Sequence, residues 1–107
     1  MPKVIKYNKL VRDRIPEIIE KIGKKCTVRV LSQEDYIKML DAKLQEELSE
    51  YQESKSLEEL ADLLEVMGAV VKARGYTWDE LTQVRKAKRE KRGGFDKKLL
   101  LTEVVED

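Results

Sequence analysis

The chain has 107 residues, room for one domain (residues 1–107) and not for two. Its 22 basic and 21 acidic residues leave a net charge of +1, which argues for neither nucleic acid nor an anionic membrane as a general partner. The hydrophobic fraction of 41% excludes a disordered chain, the absence of histidine excludes His-based triads and His-containing zinc sites, and a single cysteine, Cys26, excludes an internal disulfide.

No apolar run approaches the ~20 residues of a membrane span. The N-terminus carries no signal-peptide core, and the lone cysteine suits a reducing compartment, so the expected location is the cytoplasm. Residues 3–25 set Lys9, Arg12 and Arg14 around Leu10, Val11 and Ile15. Pro16 suits a first helical turn and predicts a short helix over Pro16–Ile22, stopped by Gly23. Alternating β-branched residues from Cys26 to Leu31 predict a short strand.

Ser32-Gln33-Glu34-Asp35 reads as the N-cap and acidic first turn of a long helix. Its apolar stripe is Ile37, Leu40, Leu44, Leu48 and Tyr51, with Glu47 at the edge and Glu50 one step further round. The polar break Glu53-Ser54-Lys55-Ser56 has the length of a tight helix–helix connection, so a second helix should return antiparallel. Ser56-Leu57-Glu58-Glu59 has the form of a capping box, which sets a capping role for Glu59 against any ligand role. Leu57, Leu60, Leu63, Leu64, Val66, Met67, Val70 and Val71 cover more than half of that helix, and Glu59 and Asp62 fall among them. Gly75 ends it as a C′ glycine.

Thr77-Trp78-Asp79-Glu80 caps a third helix running to about Arg92. From Arg85 to Arg92 six of eight residues are basic, Lys88, Lys91 and Arg92 among them. A basic helix end complements the dipole, binds a nucleic-acid backbone, or supplies the anion side of a phosphate site. Gly93-Gly94 suits a turn or a close backbone approach, and Phe95 reads as a packing residue. Lys98–Val104 reads as a second strand able to pair with the first.

Glu47/Glu50 and Glu59/Asp62 are two carboxylate pairs three residues apart, a spacing that brings helical side chains to about 5–6 Å between Cβ atoms. In an antiparallel hairpin Glu47 falls level with Asp62 and Glu50 level with Glu59, so four carboxylates face one seam. Most such pairs in an acid-rich helix are solvated decoration. Two in matching register, bordered by Leu and Val, repel and desolvate one another unless a cation or protons neutralise them. All-oxygen ligation selects a hard cation, Mg²⁺, Mn²⁺ or Ca²⁺, and nothing here has the form of an EF-hand loop. A surplus of carboxylates suits several ions, or one ion plus a base for an attacking water.

Glu46-Glu47-x-x-Glu50 followed by Glu59-x-x-Asp62 resembles the signature of the MazG-type all-α nucleoside triphosphate pyrophosphohydrolases. The opening Tyr7-Asn8-Lys9-Leu10-Val11-Arg12-Asp13-Arg14-Ile15-Pro16-Glu17-Ile18-Ile19 and the late Lys91-Arg92-Gly93-Gly94-Phe95 are similar to a small single-domain branch, described as phosphoribosyl-ATP pyrophosphohydrolase-like. The likeness covers nearly the whole chain. One departure is the spacing of eight residues between Glu50 and Glu59, shorter than in most members, whose longer insert helps shape the base pocket. The resemblance implies Mg²⁺-dependent cleavage between the α- and β-phosphates and assembly into homodimers or homotetramers.

The expectation is therefore a mainly α, antiparallel helical bundle with a small two-stranded β element, completed by dimerisation. Glu47, Glu50, Glu59 and Asp62 would hold Mg²⁺ or Mn²⁺. Glu46, or an uncoordinated member of that set such as Glu47, would position or deprotonate water. Lys9, Arg12, Lys88, Lys91 and Arg92 would meet substrate phosphate, with Lys9 and Arg12 alternatively buttressing the acids. Within the same chemistry the rival is phosphoribosyl-ATP hydrolysis in histidine synthesis; in another class it is a helical interaction or nucleic-acid-binding module using residues 85–92.

Overall fold

In the computed structural model, which describes residues 3–106, the chain forms four helices: α1 (Ile15–Lys21), α2 (Gln33–Ser54), α3 (Leu57–Ala73) and α4 (Trp78–Arg92). Three of them start on a hydroxyl cap. Ser32, Ser56 and Thr77 each accept a hydrogen bond from the backbone N–H three residues on, a device worth about 1 kcal/mol per helix. At Thr77 the cap is reciprocal, its backbone N–H donating to Glu80 at 3.2 Å. Helix α1 follows Pro16 at its first turn and ends before Gly23, whose φ of +83° is open to a residue without Cβ.

Helix α2 runs through Ser54, so the connection to α3 is only Lys55 and Ser56. Lys55 adopts a left-handed conformation (φ +58°) and donates its N–H to Tyr51 O at 2.7 Å, which turns the chain in one step. The two helices then pack along one another as the antiparallel hairpin predicted. Its open end is pinned by Arg74–Asp41 at 3.0 Å and by Gln33 Nε2 donating to Ala73 O at 3.3 Å. Exposed pairs of this kind contribute little energy but hold the register.

The hairpin is the only extensive packing in the described chain. Helix α4 touches α3 alone, where the Trp78 ring lies over Gly68, 3.6 Å from where a Cβ would stand, and α1 packs against no other helix. The radius of gyration is 19.2 Å, against about 13 Å for a compact chain of 100 residues. Among the described residues Leu40 is the single buried apolar side chain. Leu57, Leu60, Leu64 and Met67 recur every three or four residues along α3 as an open stripe, with Leu57 81% exposed.

Two expectations are corrected. No strand occurs among the described residues, either at Cys26–Leu31 or at Lys98–Val104. Their alternation supplies strand propensity, but a strand exists only when paired. Here Val30 is 98% and Leu101 80% exposed, and nothing lies alongside either. The single chain also does not form a closed bundle, because α4 leaves the hairpin after its first turns instead of folding back along it.

Candidate metal centre

Glu46, Glu47 and Glu50 lie on α2 close to its turn, and Glu59 and Asp62 lie on the first two turns of α3. The two-residue connection brings these stretches level. Carboxylate oxygens of Glu46, Glu47 and Glu50 fall within 4.8 Å of one another, and so do those of Glu47, Glu59 and Asp62. Glu47 belongs to both sets and sits at the centre. The hydrophobic-edge position read from the sequence understates its burial: it is 6% exposed, the one buried charged residue among those described.

A buried carboxylate needs compensation on both oxygens. Glu47 Oε1 receives it from Lys43 Nζ at 3.2 Å, one helical turn back. Among the described residues Glu47 Oε2 has no hydrogen-bond partner, and neither has the buried Oε2 of Glu59 across the seam. Two acceptors with no donor, on facing helices, fit a small cation. The donor set is all oxygen, as Mg²⁺ and Mn²⁺ prefer.

The competition over Glu59 is resolved by the turn. Ser56 donates its backbone N–H to Ser54 Oγ at 3.2 Å, so the Glu59 side chain is not drawn back into the cap. The Glu59 backbone still donates to Ser56 Oγ at 3.2 Å, which fixes the residue while leaving its carboxylate free. Desolvation pushes the Glu59 carboxyl above its ordinary pKa, and the charges of Glu50, Glu47 and Asp62 push in the same direction. A hydrogen bond with Glu47 adds to this; it requires a proton on one of the two carboxyls, so the fully ionised pair leaves both oxygens orphaned.

The folded state thus disfavours the Glu59 charge. In metal-free buffer at neutral pH, Glu59→Gln should melt at a higher temperature than wild type, and adding Mg²⁺ should raise its melting temperature less than that of wild type. Differential scanning calorimetry with EDTA and then with Mg²⁺ checks both; a lower melting temperature without metal would mean the seam tolerates the charge.

The N-terminal segment lies across the hairpin and reaches both helices. Lys9 Nζ is 3.5 Å from Glu46 Oε1, and an Arg12 guanidinium nitrogen is 2.7 Å from Asp62 Oδ1. Of the five predicted phosphate-binding residues, these two are therefore seated on acids. Glu46 also accepts from Lys43 at 3.2 Å. Burial raises the Glu46 pKa, but the hydrogen bond and charge of Lys43, helped by Lys9, outweigh it and hold the carboxyl below its usual range. Lys43 responds in the opposite sense: burial lowers its pKa, and the hydrogen bonds and charges of Glu47 and Glu46 raise it further than burial lowers it.

Lys88, Lys91 and Arg92 stand exposed on α4, and no ion pair joins them to the acids among the described residues.

Comparison with protein-family models gives no match, and no solved structure matches the chain. An uncharacterized protein from Mycolicibacterium smegmatis is 54% identical over 41 residues. That stretch is 38% of this chain and 42% of the relative, so the chain spans less than half of the protein it matches. No helix of the described residues is long and apolar enough to cross a membrane.

Lys43 is the site residue that the sequence reading missed. Its signal was present: Lys43 precedes Glu46 by three and Glu47 by four, the two spacings at which helical side chains meet.

Proposed function

We propose that this chain is a nucleoside triphosphate pyrophosphohydrolase that cleaves between the α- and β-phosphates and releases a monophosphate and pyrophosphate. The observation that carries the reading is the pair of buried, unpartnered oxygens, Glu47 Oε2 and Glu59 Oε2, on residues that cluster with Asp62, while Glu47 also clusters with Glu50. These four acids would hold Mg²⁺ or Mn²⁺. Such an ion supplies Lewis acidity, polarising a phosphoryl oxygen and easing ionisation of water.

The chain's own residues divide the remaining work. Lys43 neutralises one oxygen of Glu47 and leaves the other for the ion. Arg12 holds Asp62 through Oδ1, fixing its rotamer at the edge of the seam. Glu46, kept ionised by two lysines that both engage Oε1, turns its other oxygen to accept a hydrogen bond from the attacking water and orient it. Lys9 meets charge developing on the phosphates, the electrostatic role that dominates phosphoryl transfer, whereas Lys88, Lys91 and Arg92, carried away from the hairpin by α4, have no contact with the acids in a single chain. The decisive experiment is pyrophosphate release from a panel of canonical, deoxy and modified triphosphates plus phosphoribosyl-ATP, with Mg²⁺ and with EDTA. Turnover of none of them would end the proposal, and phosphoribosyl-ATP alone would favour the histidine-synthesis rival.

The working unit is a homodimer joined through the open stripe of α3. Four apolar side chains in helical register cannot all stay in water on a chain whose own core is this thin. Sedimentation equilibrium should give a dimer at micromolar concentration, and Leu60→Lys with Leu64→Lys should weaken it at least tenfold. A monomeric wild type would refute this part.

The exposed basic end of α4 favours one other reading, non-specific nucleic-acid binding. Its affinity would fall steeply with salt and ignore Mg²⁺, which separates it from hydrolysis in one titration.

A further inference from the structure

Where the N-terminal segment lies against α2, beside Glu46, a cavity of about 140 Å³ opens. Leu10, Met39 and Ala42 make its apolar floor, while Asn8 and the stems and heads of Lys9 and Lys43 form a polar rim. Ligand pockets that enclose a whole drug-sized molecule run to ~300–1,000 Å³. By contrast, an apolar cavity of ~150 Å³ takes up a benzene ring. The space therefore suits one flat ring system and leaves any sugar and phosphates outside.

The rim supplies what such a ring would need. The Asn8 amide carries both donors and an acceptor, so it can match a heterocycle edge that offers both. Asn8 is also one of three non-glycine residues of the described chain with positive φ (+48°), a conformation that asparagine tolerates and that recurs where side chains clamp ligands. Met39 is unbranched and polarisable, suited to lie against a π face. Glu46 closes the wall nearest the acids and belongs to the carboxylate cluster itself, so a ring seated here has its substituents beside the candidate metal centre.

We infer that this cavity is the base-binding subsite, seating the nucleobase of the substrate with Asn8 reading its edge. This rests on the nucleotide reading above for its occupant, but its test does not need turnover.

The probes are adenosine, guanosine, cytidine and thymidine, which carry no phosphate and need no metal. Titrated into isotope-labelled protein in EDTA, at least one should shift the amide resonances of Asn8, Met39 and Ala42. Ala42→Trp fills the cavity from an exposed helical position, and Asn8→Ala removes the reading group without touching a helix. Each should weaken that nucleoside at least tenfold while far-ultraviolet circular dichroism stays that of wild type; should Ala42→Trp misfold, Asn8→Ala carries the test. No shift with any nucleoside, or equal affinity in the variants, would overturn the subsite. Triphosphate turnover unaffected by both variants would sink the subsite and leave the hydrolase standing. Nucleoside binding without any turnover would do the reverse.

Discussion

Asp62→Asn and Glu50→Gln should each lower Mg²⁺-dependent pyrophosphate release by on the order of 10²–10³-fold, the ~3–4 kcal/mol lost when one preorganised electrostatic contact is removed from a transition state. Both changes keep the size of the side chain and delete a charge. At Asp62 the change also weakens the ion pair with Arg12, but that pair is half exposed on the acid and more so on the arginine, and such pairs contribute under about 1 kcal/mol. The variant should therefore stay folded, and its loss is chemical. On the proposed reading the loss should fall on kcat at saturating Mg²⁺, because substrate would still meet Lys9. Initial-rate kinetics over a range of Mg²⁺ and triphosphate concentrations measures it. Rates within a few-fold of wild type would strip these two acids of any part in catalysis.

The hairpin was readable because every signal for it is local. Two hydroxyl caps, a short polar break and a 3.6-residue stripe fix where each helix starts and which way it returns. From those, the levelling of Glu47 and Glu50 with Asp62 and Glu59 follows by counting. The charge balance within the seam was less readable, although Lys43 stands at the standard helical spacings from two of the acids. An acidic cluster draws attention to its anions, and the cation that makes one of them bearable is easily passed over.

What failed depended on distant partners. Cys26–Leu31 and Lys98–Val104 look like strands by composition, yet among the described residues no backbone pairs with either. The alternation of side chains describes a surface that needs covering and does not say what covers it. The direction of α4 is the same kind of fact. Thr77 and Glu80 specify where the helix begins, but only the packing of its start on α3, with Trp78 over Gly68, sets where it points, and packing at one end leaves the basic end unattached. The open α3 stripe makes the same demand.

Lys43→Met should bring the largest loss of stability, about 3 kcal/mol in urea unfolding without divalent ions. Methionine keeps the apolar stem that packs along α2, so the deficit comes from the missing ammonium. With it gone, Glu47, 8% exposed along its side chain, would have neither oxygen compensated. Mg²⁺ should restore more stability to this variant than to wild type, because the ion then answers two orphaned oxygens on one carboxylate instead of one. The double variant Lys43→Met, Glu47→Gln should be more stable than Lys43→Met alone, since removing the acid removes the uncompensated charge; the difference is the coupling energy of the pair. A single variant within about 0.5 kcal/mol of wild type, the range of an ordinary surface change, would mean that the lysine does not hold Glu47 in the seam. The acid at the centre of the cluster would then be tolerated for some other reason, and the case for a cation beside it would have to rest on Glu59 and its neighbours alone.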